Sequence, residues 1–204
     1  MPLQNRVDPF SRFHAVSSRG LFTGNRGILH DPETQTIRKT SWATEGWVIC
    51  TLAPLPGRKK RKRLMSKGRW TELFFLDEAT ALAAGHRPCY ACRKEAAKQF
   101  RDAAGVSKVS ALNTLINSEM KPHLRVHGST QRPVCDPRTL PDGAMFAAEG
   151  QPYLKWDKAA HPWSFGGYDK AQKLPASGLR LTPNATCHAL ANGFKPVLHP
   201  SLQT

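Results

Sequence analysis

LFFLDEATALAAGHRPCYACRK, residues 73–94, is the stretch that decides how this chain is read. Leu73 to Leu76 form a short apolar run suited to a strand, and Asp77 is a residue type that caps a helix N-terminus. A compact Ala/Leu helix follows and stops at Gly85, where a left-handed residue is cheap. Pro88 stiffens the approach to Cys89-Tyr90-Ala91-Cys92, and a second helix begins at once with RKEAAKQFRDAA. Two thiolates three positions apart fit one tetrahedral metal ion, and the helix N-terminus beside them favours their negative charge. The stretch is therefore half of a zinc site. Cys89 and Cys92 also admit a reading as a redox pair, but that motif wants a long strand and a βαβ context, whereas a helix, a glycine and a proline come first here.

Working outward, His30 and Cys50 are the first choices to complete the ligand set, because both precede the half-site on elements able to form its small sheet. Cys135, in a proline-flanked loop, and Cys187, inside the last expected helix, are weaker candidates. His123 and His127 have helical i, i+4 spacing, but no HExxH glutamate lies between them and Pro122 and Gly128 bracket the segment. No G-x-S-x-G, phosphate loop or dinucleotide fingerprint occurs.

The run FF…EA.ALAAGHRPC..CR resembles the second half of the Ada-type zinc-binding domain, the module of bacterial DNA alkylation-repair proteins. In that family an aromatic strand leads to such a helix and then to RPC-x-x-C, which supplies two of four zinc ligands. The likeness covers about a tenth of the chain, with a fainter echo in Phe22-Thr23-Gly24 and Gly27-Ile28-Leu29-His30. It implies a zinc-bound fold. The family's other two ligands form a C-x-x-x-C pair after a Thr-Gly element, and one of them takes up a methyl group from DNA phosphotriesters. That pair is missing after the Thr23-Gly24 echo, where His30 and Glu33 or Thr34 stand, which argues against methyl transfer.

Charge points to the partner. Thirty Lys+Arg against fifteen Asp+Glu give a net charge of +15 and a pI near 10.1, an attraction to polyanions, most simply nucleic acid. After Pro54, Pro56 and Gly57 come six consecutive cations, Arg58, Lys59, Lys60, Arg61, Lys62 and Arg63, whose mutual repulsion suits a mobile loop between strands. Lys and Arg neutralise phosphates, and Trp70 and Tyr90 are the nearby rings for stacking on exposed bases. Five cysteines with one close pair suggest a reducing cytoplasm over a disulfide framework. No stretch reaches the ~18 apolar residues of a membrane span.

The expected architecture is α+β: a small zinc-stabilised unit of short antiparallel strands and a few helices over residues 21–105, after a flexible arm at 1–20. A mixed C-terminal unit at 106–204 either stands as a second unit or completes one shared core. Strands are expected at Trp47–Leu52, in a 144–156 hairpin turning at Glu149-Gly150, and at Gly178–Leu181. A helix from Val106 is expected to end at Pro122, and another, capped by Thr182 with Pro183 in its first position, to stop at Gly193. The function expected is a zinc-stabilised nucleic-acid-binding protein tied to DNA repair, with DNA favoured over RNA. The alternatives are a zinc-dependent nuclease or repair enzyme, and a zinc-held scaffold for an acidic protein.

Overall fold

A computed structural model of the chain describes residues 1–54, 57, 63–125 and 132–202. Its two sheets and four helices make an α+β fold. The first sheet is mixed. It holds β1 (Arg6–Val7), β2 (Phe13–His14), β3 (Phe22–Asn25), β4 (Val48–Thr51), β5 (Leu73–Phe75) and β6 (Arg87–Pro88), in the order β2-β1-β5-β3-β4-β6. Between β5 and β6 lies α1 (Glu78–Ala83), and α2 (Lys94–Ala103) and α3 (Val109–Arg125) follow.

The second sheet is antiparallel and is built from β7 (Val134–Cys135), β8 (Met145–Ala148), β9 (Gln151–Trp156), β10 (Ala159–Ser164), β11 (Gly167–Tyr168), β12 (Gln172–Lys173) and β13 (Gly178–Arg180). The chain's last helix is α4 (Asn184–Ala191). The β8–β9 hairpin turns at Glu149-Gly150 as its sequence indicates, with positive φ of 51° and 81° at the two turn residues.

Alternation along the strands of the first sheet sorts its faces. Phe22, Gly24, Ile49, Leu73 and Phe75 are buried, while Thr23, Cys50 and Phe74 between them are only half-buried. The buried face packs under α1, whose six residues are all buried. Leu82 and Ala81 belong to a core cluster reaching from Val7 and Trp47 to Phe146 and Phe194, whereas Ala79 and Ala83 join one containing Met145, Leu154 and Trp163. Small side chains let this helix sit between both sheets.

Asp77 caps α1 as expected: its Oδ1 accepts from the Thr80 amide at 2.9 Å and from Thr80 Oγ1 at 2.7 Å. Gly85 ends the helix with φ +81°, and a Cβ there would stand 2.7 Å from Met120 Cγ and 3.1 Å from the Trp47 ring. Glycine is needed at this position for both conformation and space.

Three expectations need correction. Residues 1–20 are not a loose arm: β1 lies between β2 and β5, and Ser11 is buried, donating through Oγ to the Ala84 carbonyl and accepting from Arg26 Nη2 at 2.6 Å. The polar character of this segment serves buried polar partners. Helix α3 does not stop at Pro122 but runs on to Arg125. Pro122 falls in its last turns, and the stripe Leu112, Ile116 and Met120, at most 2% exposed, outweighs the amide it lacks. Thr182 does not cap α4, since its Oγ1 accepts from the Met145 amide at 2.8 Å. Glu119 of α3 does so from a distance in sequence, its Oε1 accepting from the Asn184 amide at 2.8 Å.

Candidate metal centre

Cys50 leaves the half-buried face of β4, opposite Thr23 of β3. Parallel pairing of β6 with β4 sets Val48 beside Arg87 and Ile49 beside Pro88, and the Cys89 amide continues the ladder onto the Ile49 carbonyl at 3.0 Å. A tight turn through Tyr90 and Ala91, closed by the Arg93 amide on the Cys89 carbonyl at 2.8 Å, returns Cys92 to the same place. The sulfurs of Cys50, Cys89 and Cys92 thereby lie within 4.8 Å of one another. Tetrahedral zinc, with Zn–S near 2.3 Å, holds its sulfurs about 3.8 Å apart, so these three close on an ion with small side-chain adjustments. The three cysteines are near enough to bind a metal ion.

A backbone amide already points at the sulfurs: that of Ala91 lies 3.4 Å from Cys89 Sγ. Arg93, the residue flanking α2, caps it with no side chain, which leaves the positive end of the helix facing the thiolates. Three thiols this close cannot all ionise by themselves. Hydrogen bonds from Cys50 and then Cys92 hold Cys89 down to about 2. Cys50 is pushed far above the usual thiol range by its bonds to Cys89 and Cys92 and by burial. For Cys92 the bond with Cys50 lowers the pKa, but the bond with Cys89 and burial together raise it. A divalent cation removes this conflict by stabilising all three as thiolates.

A buried ion pair braces the loop. Arg93 Nη1 meets Glu78 Oε1 at 2.5 Å, with the side chains 10% and 1% exposed. Glu78 Oε2 accepts from the Val197 amide at 3.0 Å, and the Arg93 guanidinium lies 4.6 Å from the Phe22 ring centroid. Sequence reasoning missed this pair. Its signal was an acid following the Asp77 cap and an arginine directly after the second cysteine.

Of the residues singled out from sequence, the structure brings together Cys50, Cys89 and Cys92. It does not bring His30. That side chain is fully buried, its Nδ1 2.7 Å from Thr71 Oγ1 and its Nε2 3.3 Å from the Ser66 carbonyl, so both ring nitrogens are taken. Cys135 lies on β7 and Cys187 in α4, outside the cluster. No further His, Cys, Asp or Glu among the described residues joins the three sulfurs.

Among the expected nucleic-acid contacts, Arg58, Lys59, Lys60, Arg61 and Lys62 lie outside the described residues, while Arg63 donates to the Pro32 carbonyl at 3.2 Å. Trp70 is 44% exposed, and Tyr90 is half-buried with the Arg87 guanidinium 5.5 Å from its ring centroid. No described helix is long and apolar enough to cross a membrane. No family model, curated protein or solved structure matches the chain.

Proposed function

We propose that this is a zinc-binding protein whose metal centre organises a nucleic-acid-binding surface, with DNA the favoured partner. The observation that carries the reading is the three-sulfur cluster of Cys50, Cys89 and Cys92, joining β4 to the start of α2. An all-thiolate set favours zinc over magnesium or calcium, which take oxygen ligands. The resemblance of residues 73–94 to the Ada-type module supports the same metal, and the net charge of +15 supports a polyanionic partner. Three protein donors with a fourth position left to water or a ligand also favour a second reading, a zinc enzyme acting on nucleic acid.

Metal analysis and oligonucleotide binding test the proposal together. The purified protein should carry about one zinc per chain, released when Cys89 and Cys92 are both replaced by Ala. Its affinity for duplex DNA should fall steeply with salt, since each neutralised phosphate releases counterions with a log–log slope of about −0.9. A run at Arg58–Arg63 making roughly four contacts contributes a slope near −3.6, which replacing all six residues by Ser should remove without altering zinc content. Unchanged affinity and slope in that variant would relocate the binding surface and strengthen the acidic-protein reading.

A further inference from the structure

The register of the first sheet assembles a row that crosses it toward the metal centre. His14 of β2 lies opposite Arg6 of β1, Arg6 opposite Phe74 of β5, Phe74 opposite Thr23 of β3, and Thr23 opposite Cys50 of β4. Directly opposed residues project from the same face. All five are half-buried, whereas Val7, Phe75, Phe22 and Ile49, their neighbours along the strands, are buried on the other side. Strands stand about 4.8 Å apart, so the row runs about 14 Å from Arg6 to Cys50.

Chemistry along the row is uneven in a directed way. The Arg6 guanidinium lies 4.8 Å from the Phe74 ring centroid, and its Nε donates to the Ser18 carbonyl at 2.7 Å. Its Nη1 donates to Asn5 Oδ1, and among the described residues it makes no ion pair. The exposed Arg19, another cation, acts on it, and burial first, then that cation, lowers its pKa. A half-buried guanidinium with a like-charged neighbour and no carboxylate is electrostatically incomplete, and an anion completes it. Beside it is a partly exposed aromatic ring, and a cationic track combined with an aromatic platform is the arrangement that binds single-stranded nucleic acid without reading its sequence.

We infer that the half-buried face of the first sheet is a platform for single-stranded nucleic acid, with phosphates held at Arg6 and Arg19, a base stacked at Phe74, and the strand running across Thr23 toward the Cys50–Cys89–Cys92 centre. This rests on the nucleic-acid reading above and names its surface and substrate class. The row is oriented: its cationic end lies at β1 and its thiolate end at β4, so an anionic strand is gripped at one end and delivered to the metal at the other.

The test uses the full-length zinc-loaded protein and a fluorescently labelled oligothymidylate, followed by anisotropy across a salt series. Arg6→Gln with Arg19→Gln should flatten the log–log salt slope by about 1.4, at about 0.7 per phosphate contact for a single strand. Arg19→Gln alone, on an exposed residue that the fold does not need, should flatten it by about 0.7. Phe74→Leu, which keeps an apolar strand residue, should weaken binding about fivefold or more. Lys170→Gln with Lys173→Gln removes the same charge from exposed positions beside β12 and in it, in the other sheet, and should leave the slope unchanged.

Wild-type slopes in both arginine variants, or an equal change in the lysine control, would overturn the platform while leaving nucleic-acid binding standing. Tighter binding of a duplex than of the single strand would overturn the single-stranded assignment. A wild-type protein that binds neither would overturn the nucleic-acid reading itself.

Discussion

Replacing Cys50 by Ala and His30 by Ala in parallel tests which of the two residues that the sequence offers beside Cys89 and Cys92 is a zinc ligand. Cys50 contributes one of three sulfurs clustered within 4.8 Å, whereas His30 spends both ring nitrogens on Thr71 and Ser66. Structural zinc is worth about 10–16 kcal/mol in small peptide sites, or about 3–5 kcal/mol for each of three thiolates. Losing Cys50 should therefore weaken zinc binding by about two to four decades. Losing His30 should leave zinc affinity unchanged and still destabilise the fold. It removes one hydrogen bond each from the buried Thr71 hydroxyl and the Ser66 carbonyl, at a cost of about 1–3 kcal/mol for the two. For a chain of this size that corresponds to a melting point lower by about 2–12 °C. Competition against a chromophoric zinc chelator gives the affinities, and calorimetry gives the melts. Wild-type zinc affinity in Cys50→Ala, or loss of zinc in His30→Ala, would refute the assignment.

Two further outcomes follow from the buried charges. Glu78→Gln leaves Arg93 without its carboxylate in a site where the two side chains are 10% and 1% exposed, and it should destabilise the fold by about 3–5 kcal/mol. Calorimetry should then show a melting point lower by about 6–20 °C, and no loss would mean that the pair does not brace the metal loop. His86 is fully buried, and burial first, then the Arg26 guanidinium, holds its pKa well below 6.5. The unfolded chain binds a proton there that the folded chain refuses, so its contribution to stability is full above about pH 6.5 and is lost as pH falls. The expected slope is about 1.4 kcal/mol per pH unit below pH 6.5. His86→Gln, which keeps an acceptor for Arg26 Nε, should be flatter by that slope in urea titrations between pH 7 and pH 5; an unaltered slope would exclude His86 as its source.

The elements legible in sequence were those whose signals are local. Asp77, the Ala/Leu helix and Gly85 announce α1 by cap, composition and stop, and Glu149-Gly150 announces its hairpin by turn chemistry. Wherever a partner distant in sequence decides the outcome, the local signal misleads. Thr182 reads as a cap until Met145 claims its hydroxyl and Glu119 takes over the amide of Asn184. The polar first twenty residues read as a loose arm because nothing local discloses that Ser11 will meet Arg26 and Ala84 inside the molecule.

The candidate metal centre divides along the same line. Cys89 and Cys92 are fixed by a turn four residues long, and their spacing alone specifies them. Cys50 depends on parallel pairing between β4 and β6, a long-range contact, and only its place as the half-buried residue after Ile49 in an alternating strand hints at it. His30 carries the right chemistry, but Thr71 satisfies it, because a buried imidazole takes whichever partners the fold offers first. The row from His14 to Cys50 lies furthest from anything a linear reading can reach. Its five residues come from five strands, and none is within six positions of the next in sequence, so only the register of the sheet brings them into line. A surface of this kind is specified by pairing, and a one-residue slip of β1 or β5 would turn Arg6 or Phe74 into the core and dissolve it.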